Sequence, residues 1–181
     1  EGRLKSPEYV ASITRVYRSA IDRIMGDLFS SRETGPESAS PRYELEMAFS
    51  RGLHSGWLGG IDNQRLVHGR FGKKRGVYLG RVSRVGHDRV WLTAESPVKA
   101  GDGVVFDAAD WRDPGEEEEG GRVYEVTARV AGRVELRFGG GDVRLGRIRV
   151  GDLVWRTHDP AVYKALKPYL LDVEIKFGSK T

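Results

Sequence analysis

Two stretches of this chain space their apolar residues at every second position, and each is followed by a similar short phrase. Val77, Leu79, Val82 and Val85 lead to Gly86-His87-Asp88, after which Val90 and Leu92 alternate back. Val126, Ala128 and Val130 lead to Ala131-Gly132-Arg133, after which Val134, Leu136 and Phe138 do the same. A period of two puts alternate side chains on one face of a strand, and a glycine-bearing turn between two such runs predicts a hairpin. The matching phrases are Val98-Lys99-Ala100-Gly101-Asp102-Gly103-Val104-Val105 and Ile148-Arg149-Val150-Gly151-Asp152-Leu153-Val154-Trp155. In each, Gly-Asp supplies a tight turn and the apolar residues after it open a new strand. Two units of hairpin, turn and strand predict about six short strands, enough to close a small barrel and remove exposed edges. The competing arrangement is two unrelated hairpins in an open sheet.

The flanks read differently. Ser6-Pro7-Glu8 predicts a helix start: a hydroxyl can cap a free N–H, proline costs no hydrogen bond there, and an acid meets the positive dipole end. Val10, Ile13, Val16, Tyr17, Ala20, Ile21, Ile24 and Leu28 then recur at spacings of three and four, an apolar stripe that calls for a partner. Residues 30–41 (SSRETGPESASP) have almost nothing to bury and read as a linker. A short helix over Tyr43 to Phe49 follows. Asp107 to Gly121 (DAADWRDPGEEEEGG) reads as a surface loop between the two units, with an acidic flap over a basic surface as the alternative. Asp159-Pro160 opens another short helix through Leu166, and Leu171 to Phe177 alternates as a last strand. The expected class is mainly β with α: a small closed six-stranded barrel preceded by a long amphipathic helix and a short one. The expected organisation is a terminal helix of an upstream domain (1–29), the linker (30–41), a basic segment and barrel (42–158), and a helix and strand leading to a further domain (159–181).

Several chemistries have no residues to carry them. There is no cysteine, so disulfides, thiolate metal sites and a cysteine nucleophile are excluded. His54, His68, His87 and His158 lack the spacing that presents two imidazoles to one metal, so no metal site and no cofactor are expected in this segment. Gly52-Leu53-His54-Ser55-Gly56 is not a nucleophile elbow, and the segment from Gly69 to Lys74 lacks the spacing of a phosphate-binding P-loop. No catalytic residue is assigned from these scans. With no long apolar run and no secretory pattern, the expected setting is cytoplasmic, without a membrane partner.

Charge is unevenly placed. The chain carries +4 overall, with 22 of its 30 basic residues arginine. Between Arg51 and Arg89, seven Arg and two Lys face only Asp62 and Asp88, a net +7, which leaves −3 for the remainder. The same stretch holds Trp57, Phe71 and Tyr78. Cations interleaved with aromatics and glycines suit a surface that neutralises phosphates and stacks bases. The expected RNA contacts are Arg65, Arg70, Lys73, Lys74 and Arg75 to phosphate, with Trp57, His68 and Phe71 as stacking residues. Solvated charges on a loop and a barrel rim are the bland alternative.

Two long phrases resemble a known family. Glu1-Gly2-Arg3-Leu4-Lys5-Ser6-Pro7-Glu8-Tyr9-Val10 with Tyr17-Arg18 resembles the last part of the catalytic barrel of the collagenase-like peptidase U32 family. Phe49-Ser50-Arg51-Gly52, Gly56-Trp57, Leu66-Val67-His68-Gly69-Arg70 and Lys73-Lys74-Arg75-Gly76-Val77-Tyr78-Leu79-Gly80 resemble the region after that barrel in longer bacterial members. The family is named for peptidase activity, and related members act in hydroxylation of ribosomal RNA or tRNA. The resemblance implies that Glu1, Arg3 and Lys5 stand at the rim of a catalytic site whose remainder lies elsewhere. It implies an accessory region that docks structured RNA for an upstream catalytic domain, or alternatively one that holds a polypeptide substrate for a protease. The hairpins with Gly-Asp turns also resemble the small β-barrel of translation factors.

Overall fold

A computed structural model describes residues 5–29, 40–49, 56–61, 75–107, 118–128 and 132–167. The chain divides into two compact units, one of Glu1–Phe49 with Ala161–Thr181 and one of Ser50–Pro160. The first contains helices α1 (Pro7–Phe29) and α2 (Pro41–Phe49) together with most of a short helix, α3, over 160–167. α1 starts where the capping signal placed it, with the Tyr9 N–H donating to Ser6 Oγ at 3.3 Å. It packs on α2 around buried Ser12 and Met47, where Arg15 Nη2 meets the buried Glu44 carboxylate at 2.6 Å. Ile13 and Val16 are half-buried, while Val10, Tyr17, Ile21, Ile24 and Met25 stay exposed, so only part of the apolar stripe is covered.

The second unit is a closed antiparallel barrel of β1 (Val77–Val85), β2 (Arg89–Ala94), β3 (Gly103–Asp107), β4 (Glu119–Ala128), β5 (Arg133–Phe138) and β6 (Leu153–His158). The order around the barrel is β1-β2-β5-β4-β3-β6. Leu79, Val82, Val90, Leu92, Val104, Phe106, Val123, Leu136 and Val154 point inward and, with Ile148, form the core. Each large side chain so buried stabilises the fold by roughly 1.5–3 kcal/mol. The period-two reading therefore holds, and the open-sheet arrangement does not.

The barrel is two similar halves, β1-β2-β3 and β4-β5-β6. β2 and β5 pair so that Val90 faces Leu136, and β3 and β6 so that Val105 faces Trp155. Each of these pairs joins equivalent positions of the two halves, which is the register of a pseudo-two-fold axis. The Gly-Asp turns repeat the same hydrogen bonds. Gly101 N–H donates to Val123 O and Val123 N–H to Asp102 O, both at 2.8 Å; Gly151 N–H donates to Val82 O at 2.8 Å and Val82 N–H to Asp152 O at 2.9 Å. Each aspartate side chain accepts the N–H three residues back, Lys99 to Asp102 Oδ2 at 3.0 Å and Arg149 to Asp152 Oδ2 at 2.9 Å. Gly101 and Gly151 sit at φ +92° and +98°, where a side chain would be strained.

One boundary moves. The expected loop from Asp107 to Gly121 is shorter at both ends, because Asp107 closes β3 and Glu119, Gly120 and Gly121 open β4 opposite Phe106, Val105 and Val104. The strand can take up an acidic residue because the buried Glu119 carboxylate lies 2.9 Å from Arg144 Nε and 3.2 Å from Arg147 Nη1. Glycine is needed at 121, where a Cβ would stand 2.5 Å from Val143 Cγ2. The expected linker core and the terminal strand over 171–177 lie outside the described residues.

Candidate nucleic-acid interface

Alternation along the strands turns β1, β2 and β5 into one outward face. Where the core residues point in, the residues between them must point out, and cross-strand register then sets which outward side chains are neighbours. Arg81, Thr93 and Arg133 form one row, Arg84, Trp91 and Glu135 the next, and Arg89 with Arg137 a third that continues to Glu125 on β4. Five arginines thus come together from three strands. A bulge in β1 between Val82 and Arg84 restores the outward direction of Arg84, and there the Ser83 hydroxyl donates to Trp91 O at 3.1 Å.

The carboxylates of this face sort the arginines into two classes. Arg89 pairs with Asp88 at 2.8 Å and with the buried Glu135 at 2.5 Å. Arg137 pairs with Glu125 at 3.2 Å and with Asp88 at 3.4 Å. The Arg89 side-chain hydrogen bond holds the Asp88 carboxyl below its ordinary range, and the Asp88 and Glu135 hydrogen bonds hold the Arg89 guanidinium charged. Arg81, Arg84 and Arg133 are exposed and have no carboxylate partner among the described residues. Arg81 donates to Gly151 O at 3.2 Å, and the Arg84 guanidinium lies 4.7 Å from the Trp91 ring centroid. Three cations therefore remain available to an external anion.

The residues expected from sequence fare unequally. Arg65, His68, Arg70, Phe71, Lys73 and Lys74 lie outside the described residues, as do Glu1 and Arg3. Trp57 is exposed on a single 3-10 turn, Gly56–Gly59. Lys5 Nζ sits 5.7 Å from the Tyr9 ring centroid at the start of α1. Arg75 is not on a surface: it is 5% exposed, with its guanidinium 2.6 Å from Glu118 and 3.7 Å from Asp107. Burial of a guanidinium demands paired carboxylates, and the two ends of the acidic loop supply them. Sequence reasoning missed Arg133 and Arg137, which lie outside the +7 stretch and join it only through the pairing of β2 with β5.

A second buried ion pair lies inside the barrel. Arg156 Nε donates to Asp102 Oδ2 at 2.9 Å, and its Nη2 donates to Pro97 O. Burial pushes the Asp102 carboxyl up, against the downward pull of the Lys99 N–H and of Arg156. This pair ties the turn before β3 to β6. Among the described residues, no three His, Asp or Glu side chains gather as a metal cluster, and no helix is long and apolar enough to cross a membrane.

Residues 1–68, which include α1, α2 and the Trp57 turn, match the family model for Peptidase family U32. Over this segment the chain is similar to the U32 family. The barrel strands begin at Val77, beyond the matched residues. Among curated proteins, none matches the chain.

Proposed function

We propose that this chain belongs to a U32-like protein and uses its β-barrel as a non-catalytic docking element for structured RNA, ribosomal RNA or tRNA, which a U32 catalytic barrel then hydroxylates. The observation that carries the reading is the pairing pattern of the arginines. Arg75, Arg89, Arg137, Arg144, Arg147 and Arg156 are each spent on carboxylates of the barrel, while Arg81, Arg84 and Arg133 are exposed on one face without one among the described residues. A barrel that pairs six of its arginines with carboxylates and leaves these three together on one face suits a polyanion. The lysines and arginines at 65–74 precede β1 directly in sequence and add to the same charge.

The test is RNA binding by the chain as a function of salt. Neutralising about five phosphates should give a slope of log K against log salt near −4 to −5. A slope near zero would defeat the reading. Cleavage of gelatin by the intact parent protein without any RNA binding would favour instead the holding of a polypeptide substrate.

A further inference from the structure

The two halves of the barrel offer an internal comparison at one cross-strand site. In the first half Arg84 on β1 faces Trp91 on β2; in the second half the equivalent positions are Glu125 on β4 and Arg137 on β5, which also face each other. The second pair is an ion pair at 3.2 Å and cancels its own charge. The first is a guanidinium over an indole at 4.7 Å and keeps its charge whole. Trp91 is also held in place: a Cβ on Gly86 would come within 2.8 Å of Trp91 Cζ3 and 3.0 Å of Cη2, so the edge of the indole rests on the hairpin turn. The ring is half-buried, wedged at its edge and covered by a cation.

Resting on the RNA-docking reading above, we infer that Trp91 is a positioning residue that aims Arg84 at a phosphate, and that this face reads the backbone of double-helical RNA rather than its bases. A reader of single strands needs free aromatic rings on which bases stack. The three rows of this face hold one ring, Trp91, and Arg84 already lies over it, while the Tyr78 ring of β1 beside Arg81 packs against Trp155, 5.1 Å between centroids. What the face does present is Arg81, Thr93 and Arg133 side by side, with Arg84 in the next row. A duplex of A-form RNA offers phosphates and 2′-hydroxyls across a wide, shallow minor groove, so guanidinium groups flanking an exposed hydroxyl match it in chemistry. Such contacts carry no sequence information.

The experiment compares Arg84→Gln, Trp91→Leu, Trp91→Phe and the Arg84→Gln/Trp91→Leu double variant of the full chain. The probes are two RNA duplexes of unrelated sequence and one unstructured single strand. The expected result is equal affinity for the two duplexes and weaker binding of the single strand. Arg84→Gln and Trp91→Leu should each weaken duplex binding about 5- to 10-fold, each lowering the salt slope by about 0.9, the increment for one phosphate. The double variant should lose no more than either alone, and Trp91→Phe, which keeps a ring under the guanidinium, should recover most of the loss. Additive losses, a preference for the single strand that Trp91→Leu abolishes, or a clear preference between the duplexes would overturn the inference and leave RNA docking standing. Should Trp91→Leu fail to fold by thermal unfolding, Trp91→Phe against Arg84→Lys decides: loss with Lys and retention with Phe supports the inference, and the reverse overturns it. Absence of RNA binding by the unaltered chain at low salt would instead remove the docking reading itself.

Discussion

Arg89 and Glu135 occupy equivalent positions in the two halves of the barrel, and their side chains meet across the β2–β5 seam, Nη1 to Oε1 at 2.5 Å. The backbone around them is duplicated, yet the chemistry is not. Trp91 corresponds to Arg137, Arg84 to Glu125, and Phe106 to Arg156. A barrel with two-fold geometry and unequal charge can leave Arg84 charged over Trp91 while Glu125 and Arg137 at the equivalent positions cancel each other.

The two Gly-Asp turns provide a matched pair for stability. Asp152→Ala removes the acceptor for the Arg149 N–H and should cost about 1 kcal/mol. Asp102→Ala removes the same kind of bond and also takes the Asp102 carboxylate from buried Arg156, so it should cost about 3–5 kcal/mol. Urea unfolding reads both as a lower midpoint at unchanged slope. Equal losses would show that Arg156 depends little on Asp102.

Leu136 faces Val90 at the centre of the pseudo-two-fold register and is fully buried. Leu136→Ala should destabilise the barrel by about 2–5 kcal/mol through lost burial and the cavity left behind. The same substitution at exposed Ile24 of α1 should leave barrel unfolding unchanged.

Asp88 and Asp102 should titrate in opposite directions from an ordinary aspartate. The Arg89 hydrogen bond lowers Asp88, so its contribution to stability is present above the unfolded-state value and is lost as pH falls through the lower folded one. Burial raises Asp102, so its contribution is present below the unfolded-state value and is lost as pH rises through the higher folded one. Carboxyl chemical shifts followed against pH check both signs, and Asp88→Asn should flatten the acid limb of the stability profile.

Arginines of the two classes should separate binding from stability. Replacing Arg81, Arg84 and Arg133 together by Gln should lower RNA affinity and reduce the salt slope by about 2.7, or 0.9 for each phosphate contact, with little change in unfolding. Arg89→Gln should destabilise the barrel, because it leaves the Glu135 carboxylate buried without that partner. Filter binding and thermal unfolding on the same preparations measure the two effects.

What the sequence determined by itself was everything that depends on neighbours a few residues apart. Alternation marked the strands from Val77 to Leu92 and from Val126 to Phe138, Gly-Asp marked the turns at 101–102 and 151–152, and Ser6-Pro7-Glu8 marked the start of α1. These are local rules of backbone geometry and capping, and composition alone located the +7 stretch that drew attention to RNA. Only the tertiary structure decided how that charge is used. Arg75 and Arg84 look alike in sequence, yet one is buried against Glu118 and Asp107 and the other stands exposed over Trp91. Arg133 joins Arg81 because β2 pairs with β5, and Glu119 enters a strand because Arg144 and Arg147 arrive from another part of the chain. Whether a cation is spent or available depends on which carboxylate lies within a few ångströms, and strand order sets that distance where sequence separation does not.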